Sequence, residues 1–211
     1  MQKKPAKFIT VEGIEGVGKS SCLSYILDCL AAHDIRPIQT REPGGTVIAE
    51  KIRNIMLAHH DEVMCNDTEL LLAFAGRAQH LNTIIRPALS QGTWVLCDRF
   101  TDATFAYQGG GRGLDFARIE SVKQWVHPDL EPDLTLLLYA PVNIALERAK
   151  GRGNLDRIEV EEEQFFKRVQ DTYLKLAKQY PARYRLIDAS QPPKLVKAQV
   201  EKALTQFLKN D

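Results

Sequence analysis

Gly13-Ile14-Glu15-Gly16-Val17-Gly18-Lys19-Ser20 fits the pattern G-x-x-x-x-G-K-[ST]. It follows the apolar run Phe8 to Val11 and precedes a helical pattern from Ser21 to Leu30, the strand–turn–helix context that such a loop requires. The physical demand is that several backbone N–H groups converge on phosphate oxygens. Glycine serves where a Cβ would clash or φ is positive, and the helix that follows contributes the positive end of its dipole. Gly13 through Ser21 are therefore the expected triphosphate-binding stretch, with Lys19 reaching the β and γ phosphates and Ser20 ligating Mg2+.

Such a loop also needs a carboxylate beside the metal, at the end of a neighbouring apolar strand. Trp94-Val95-Leu96-Cys97-Asp98 supplies one, so Ser20 and Asp98 are the expected metal residues.

Outward from the loop, short β-rich apolar runs alternate with longer helical patterns, which argues for a parallel α/β sheet. The expected strands are Phe8 to Glu12, Pro37 to Thr40, Trp94 to Cys97, Leu134 to Tyr139 and Arg185 to Ile187. Most are near-continuously apolar, as strands covered on both faces should be. Helices are expected to start near Lys19, Thr46, Asp67, Asp115, Val142, Glu161 and Pro193, several announced by a Thr, Asp or Asn cap or an early proline. Lys150 to Glu159 breaks the rhythm: it is polar, holds Gly151 and Gly153, and reads as a lid over a site.

No repeat or Ser/Pro-rich linker divides the 211 residues, so one domain spanning 1–211 is expected, with the lid at about 149–160 inside it. Charges nearly cancel, 28 Lys plus Arg against 27 Asp plus Glu, so no whole-protein field would hold the chain on nucleic acid or an anionic membrane. The apolar stretch after Lys3, Lys4 and Lys7 meets Glu12 too soon for a signal peptide or a membrane span, and a cytoplasmic location is expected. Cys22, Cys29, Cys65 and Cys97 lack CxxC spacing and read as reduced thiols.

The guanine-reading N-K-x-D of a GTPase is missing, as is any LSGGQ-like element, which leaves ATP as the expected donor. Arg41, Arg53, Arg77 and Arg99 lie upstream of the lid, and Arg148, Arg152 and Arg157 lie in or beside it. Two phosphate-bearing substrates held together present several negative charges, which bidentate guanidinium groups suit. These residues point to transfer of phosphate to a small acceptor. Kinases for dTMP, dUMP, dCMP or UMP, a deoxynucleoside kinase, and a P-loop module that only senses ATP all carry such a loop.

Val11 to Ser20, Thr40-Arg41-Glu42-Pro43-Gly44-Gly45-Thr46, Arg77, Asp98-Arg99-Phe100 running into Ala106 to Gly113, and Arg152-Gly153 to Leu155-Asp156-Arg157-Ile158-Glu159 occur in an order that resembles the bacterial thymidylate kinases. The carboxyl-terminal Asp188-Ala189-Ser190-Gln191-Pro192 fits as well. The resemblance implies a P-loop NTPase-like three-layer α/β fold, with a five-stranded parallel sheet, helices on both faces and a short lid. It implies transfer of the γ-phosphate of ATP to dTMP, feeding dTTP synthesis, and a homodimer.

By the same resemblance Glu15 senses the 3′-hydroxyl of the deoxyribose, and Arg99 holds the acceptor phosphate with Arg53 and Arg41 nearby. Arg77 and Gln108 hydrogen-bond the thymine edge, and Thr104 and Tyr107 line the sugar and 5-methyl side. Glu42 belongs to the dTMP site, and Glu42-Pro43 occupies a position where the peptide bond can be cis. Some relatives carry a basic residue inside the P-loop, but Ile14, Glu15, Gly16 and Val17 offer none. Arg152 is therefore the expected catalytic arginine beside Lys19 and Arg99, and Arg148 lies against the adenine or its phosphates. Relatives often have an aromatic residue four positions before the thymine-reading arginine. Here Ala73 stands there, and Phe74 turns toward Leu70 and Leu81 as core, so that base stacking is either weaker or supplied by another apolar group such as Phe100 or Phe105.

Overall fold

The computed structural model describes residues 6–151, 153 and 155–209. Strands β1 (Phe8–Glu12), β2 (Ile38–Arg41), β3 (Val95–Asp98), β4 (Leu134–Tyr139) and β5 (Tyr184–Asp188) form one parallel sheet in the order β2-β3-β1-β4-β5. Alternation along the central strands produces the layers. Val95 and Cys97 join Phe8, Leu81 and Ile85 in one core, whereas Leu96 joins Ile9, Val11, Ile26 and Leu30 in the other. Each such side chain, fully buried, stabilises the fold by about 1.5–3 kcal/mol.

The expected apolar runs hold for β1, which is buried throughout, and for β4, buried except at Tyr139. β2 differs: it is an edge strand of sequence IQTR whose side chains are mostly exposed. It starts and ends one residue later than expected, as does β3, and β5 runs one residue further at each end.

Helices α1 (Lys19–Ala31), α2 (Val47–Leu57), α3 (Asn66–His80), α6 (Phe116–Val126), α7 (Val142–Lys150), α8 (Glu163–Gln179) and α9 (Pro193–Lys209) start within two residues of their expected positions. Thr46 accepts the Ala49 N–H at 3.2 Å and Asp115 the Ala117 N–H at 2.9 Å, the caps that the sequence announced.

Two stretches are continuations that helical periodicity did not separate. α3 widens into a π-helical turn at Leu81–Ile85 before α4 (Arg86–Ser90). Pro87 has no N–H to donate to Thr83, and the wider turn, with Arg86 N–H on the Leu81 carbonyl, makes room for its ring. α5 (Thr101–Thr104) likewise runs into a π-helical segment at Phe105–Gly111. Its glycines permit close approach: a Cβ on Gly110 would overlap the Thr172 hydroxyl of α8. That contact presses the segment onto α8 and fixes Tyr107 and Gln108.

Candidate active site

At the carboxyl ends of the strands, Val11 stands level with Asp98 and Asp98 with Arg41, so the loops after β1, β3 and β2 share one edge of the sheet. The P-loop turns there through Gly13, Gly16 and Gly18, whose φ values are 138°, 73° and 88°. A Cβ on Gly16 would overlap the Ala145 carbonyl of α7, so close packing and positive φ both require glycine. Lys19 Nζ donates to the Gly13 and Ile14 carbonyls at 3.2 and 3.0 Å. Burial, with Arg99 beside it, lowers the Lys19 pKa to about 8 against the pull of Asp98, Glu15 and Glu12. Asp98 Oδ1 is buried with no hydrogen-bond partner among the described residues, and Ser20 is exposed.

Arg99 follows with φ 68°, a left-handed backbone that costs a non-glycine residue about 1–3 kcal/mol. Two hydrogen bonds hold it. Its own N–H donates to the Val11 carbonyl at 3.0 Å, and the next N–H, of Phe100, donates to Glu12 Oε1 at 2.7 Å. The conformation turns the guanidinium toward the P-loop, where Nη2 donates to Glu15 Oε1 and to the Tyr107 hydroxyl, both at 2.7 Å. The Tyr107 hydroxyl donates to Glu15 in turn. Burial alone would raise the Glu15 pKa, but Arg99, Lys19 and Tyr107 outweigh it and hold the carboxylate charged.

A cleft opens beside this cluster, lined by Glu15, Arg99, Phe100, Ala103, Thr104, Tyr107 and Gln108 together with Glu42, Pro43, Arg53, Ala73 and Arg77. Met56, Leu57, Asp156 and Ile158 close it. The Glu42–Pro43 peptide is cis, as expected. Arg77 is 3% exposed. Its Nε donates to Glu42 Oε2 at 2.7 Å, and its Nη2 donates to the Phe100 carbonyl at 3.1 Å and to Thr104 Oγ1 at 3.0 Å. The rings of Phe74 and Phe100 lie 4.8 and 5.2 Å from the guanidinium carbon, and Nη1 has no hydrogen-bond partner among the described residues. Burial opposes the Glu42 charge, yet Arg77 and His80 lower its pKa below the ordinary carboxylate value.

This geometry has close relatives. The family model for thymidylate kinase matches residues 11–200. The chain is 56% identical to the thymidylate kinase of Pseudomonas savastanoi pv. phaseolicola, over 95% of its own length and 96% of that protein. It is 53% identical to the thymidylate kinase of Vesicomyosocius okutanii, over 92% and 95%. The crystal structure of thymidylate kinase from Ehrlichia chaffeensis superimposes with a TM-score of 0.76 at 30% identity, covering 95% of this chain and all of that one. The chain belongs to the thymidylate kinase family.

Eight residues that resemblance to this family assigned to dTMP, namely Glu15, Glu42, Arg53, Arg77, Arg99, Thr104, Tyr107 and Gln108, line the one cleft. Arg53 reaches it while donating to the Pro43 carbonyl at 2.9 Å, whereas Arg41 turns away to Glu50 at 2.9 Å. Gln108 donates to Glu69 at 2.8 Å, and Arg157 donates to the same carboxylate at 2.6 Å and to the Met56 carbonyl at 2.9 Å. The second half of the expected lid is thus tied to α2 and α3 rather than free along its length. Arg148 donates to the Ala189 carbonyl at 3.0 Å, which ties the end of α7 to the loop after β5. Arg152 lies outside the described residues.

Phe74 is buried core, as expected, and packs with Leu70 and Ile119, whereas Leu81 belongs to the separate core of Phe8, Ile85 and Phe100. Of the two rings suggested for the base, Phe100 lines the cleft, and Phe105 packs on Phe116 instead, centroids 5.6 Å apart. Met56, Leu57 and Ala103 carry no motif. Only the packing of α2 and α5 around the cleft brings them there.

Proposed function

We propose that this chain transfers the γ-phosphate of ATP to dTMP, with the donor on the P-loop and the acceptor in the neighbouring cleft, the whole chain acting as one kinase domain. The observation that carries this reading is the convergence of Glu15, Arg99, Arg77 and Gln108 in a single cleft that abuts the P-loop. Arg77, confined between two rings with one nitrogen unpaired, offers a hydrogen bond to a pyrimidine edge. Gln108 lines the same cleft. Glu15, held charged, accepts from a ribose hydroxyl, and Arg99 and Arg53 hold the acceptor phosphate.

Phosphoryl transfer needs positioning and charge neutralisation more than covalent chemistry. P-loop amides and Lys19 cradle the donor phosphates; Arg148 stands on the adenine side. Ser20 and Asp98 would hold Mg2+, and the unpartnered Asp98 oxygen fits that role, since Mg2+ takes few protein ligands and completes its shell with phosphate and water. When bound, the metal ion neutralises charge on the transferring phosphates. Arg152, the lid arginine, supplies the charge that the P-loop lacks. The acceptor phosphate oxygen attacks in line while the lid keeps water out.

No described helix is long and apolar enough to cross a membrane. Ile48 and Ile55 of α2, Leu71 of α3 and Trp125 of α6 are exposed apolar side chains of the kind that a homodimer would cover.

Coupled ADP-release assays across dTMP, dUMP, dCMP and UMP test the reading. dTMP should give the highest kcat/KM, with dTDP as product. ATP binding without phosphorylation of any monophosphate would overturn it.

A further inference from the structure

His80 lies behind the cleft rather than in it, wholly buried, one helical turn after Arg77 on α3. Its Nδ1 is 3.0 Å from Glu42 Oε1, and its Nε2 is 2.6 Å from Thr40 Oγ1 at the end of β2. A charged carboxylate only accepts, so Nδ1 carries the proton and donates to Glu42. The other Glu42 oxygen takes Arg77 Nε, so both oxygens of this cleft-lining residue are engaged by protein. Gly45 presses on the same imidazole, where a Cβ would come 2.6 Å from Nε2.

We propose that His80 is a positioning residue for dTMP recognition: anchored by Thr40, it fixes the Glu42 carboxylate, which sets the orientation of Arg77. The chain of contacts runs from β2 through the turn after it to α3, and Arg77 continues it to the Phe100 carbonyl and the Thr104 hydroxyl. Every donor of the guanidinium is thereby assigned except Nη1, the group left for the base. The flanking rings of Phe74 and Phe100 confine the plane of the guanidinium, but rings do not fix its rotation within that plane. A directional acceptor does, and an acceptor free to turn does not. His80 removes that freedom. This inference rests on Arg77 as the reader of the base.

A double-mutant cycle separates this role from mere packing. Direct dTMP and ATP binding is measured for Arg77→Ala, His80→Ala, Thr40→Val and the two combinations with Arg77→Ala. In the Arg77 background His80→Ala should weaken dTMP binding about tenfold, and Thr40→Val, which removes one hydroxyl and keeps the shape, about threefold. Neither should change ATP binding, and neither should weaken dTMP binding further once Arg77 is alanine. Equal losses in both backgrounds, parallel loss of ATP binding, or no loss at all would overturn the relay while leaving the base-reading assignment standing. If Arg77→Ala by itself leaves dTMP binding unchanged, that assignment falls and the relay with it. Should His80→Ala not fold, the Thr40→Val pair decides.

Discussion

Glu12, wholly buried at the end of the central strand, accepts the Phe100 N–H at 2.7 Å and so holds the peptide that follows the left-handed Arg99. Its second oxygen accepts the Tyr173 hydroxyl of α8 at 2.7 Å. Burial, with Asp102 nearby, raises the Glu12 pKa from 4.5 to about 8. The folded state therefore holds this proton more tightly than the unfolded state. Its contribution to stability is complete below about pH 4.5 and is lost as pH rises through about 8. Glu12→Gln keeps an acceptor for Phe100 but cannot ionise. Thermal unfolding from about pH 5 to 8.5 should show the wild-type midpoint falling relative to that of Glu12→Gln; parallel curves would refute the shift.

Lys19 titrates near the same pH from the opposite side. Its pKa of about 8 means that the free protein begins to lose this positive charge just above neutrality. Bound triphosphate favours the charged form, so ATP binding should take up a proton above about pH 8 and weaken as pH rises further. Calorimetry in buffers of different ionisation enthalpy checks the uptake. Lys19→Ala should abolish the pH dependence and lower kcat by about 10³ or more.

Arg152→Ala should lower kcat by about 10³ with dTMP binding nearly unchanged, because the P-loop residues Ile14, Glu15, Gly16 and Val17 provide no substitute cation. Steady-state kinetics beside direct dTMP binding measures both. Unchanged turnover would remove the lid arginine from the mechanism.

Gly110→Ala should destabilise the fold by about 1–3 kcal/mol, since the new methyl group would overlap Thr172 and either α8 or the π-helical segment must shift. Urea denaturation reads the loss. Because Tyr107 and Gln108 ride on that segment, the apparent affinity for dTMP should fall as well.

Much of this site was legible in the chain because local chemistry dictates it. A phosphate cradle needs Gly13, Gly16 and Gly18 at fixed spacing between a strand and a helix, and no fold can supply those glycines from elsewhere. Helix starts at Thr46 and Asp115 were readable for the same reason, since a cap acts on the N–H groups two or three residues away. The edge position of β2 was not: the order β2-β3-β1-β4-β5 is a choice of partners, and IQTR does not name its neighbours.

By itself, then, the sequence determined the loop, the alternation that makes the sheet parallel, and the family motifs that carry Glu15, Arg77 and Arg99. Tertiary structure decided what those residues are bound to. Glu12 reaches across 88 residues to Phe100, and Arg77 across 35 to Glu42. Such bonds join side chains that sequence spacing leaves unrelated, and they form only when the packed sheet and helices bring them within hydrogen-bond distance. The π turns at Leu81–Ile85 and Phe105–Gly111 belong to the same class, because their extra residue per turn answers to a proline ring in one case and the surface of α8 in the other.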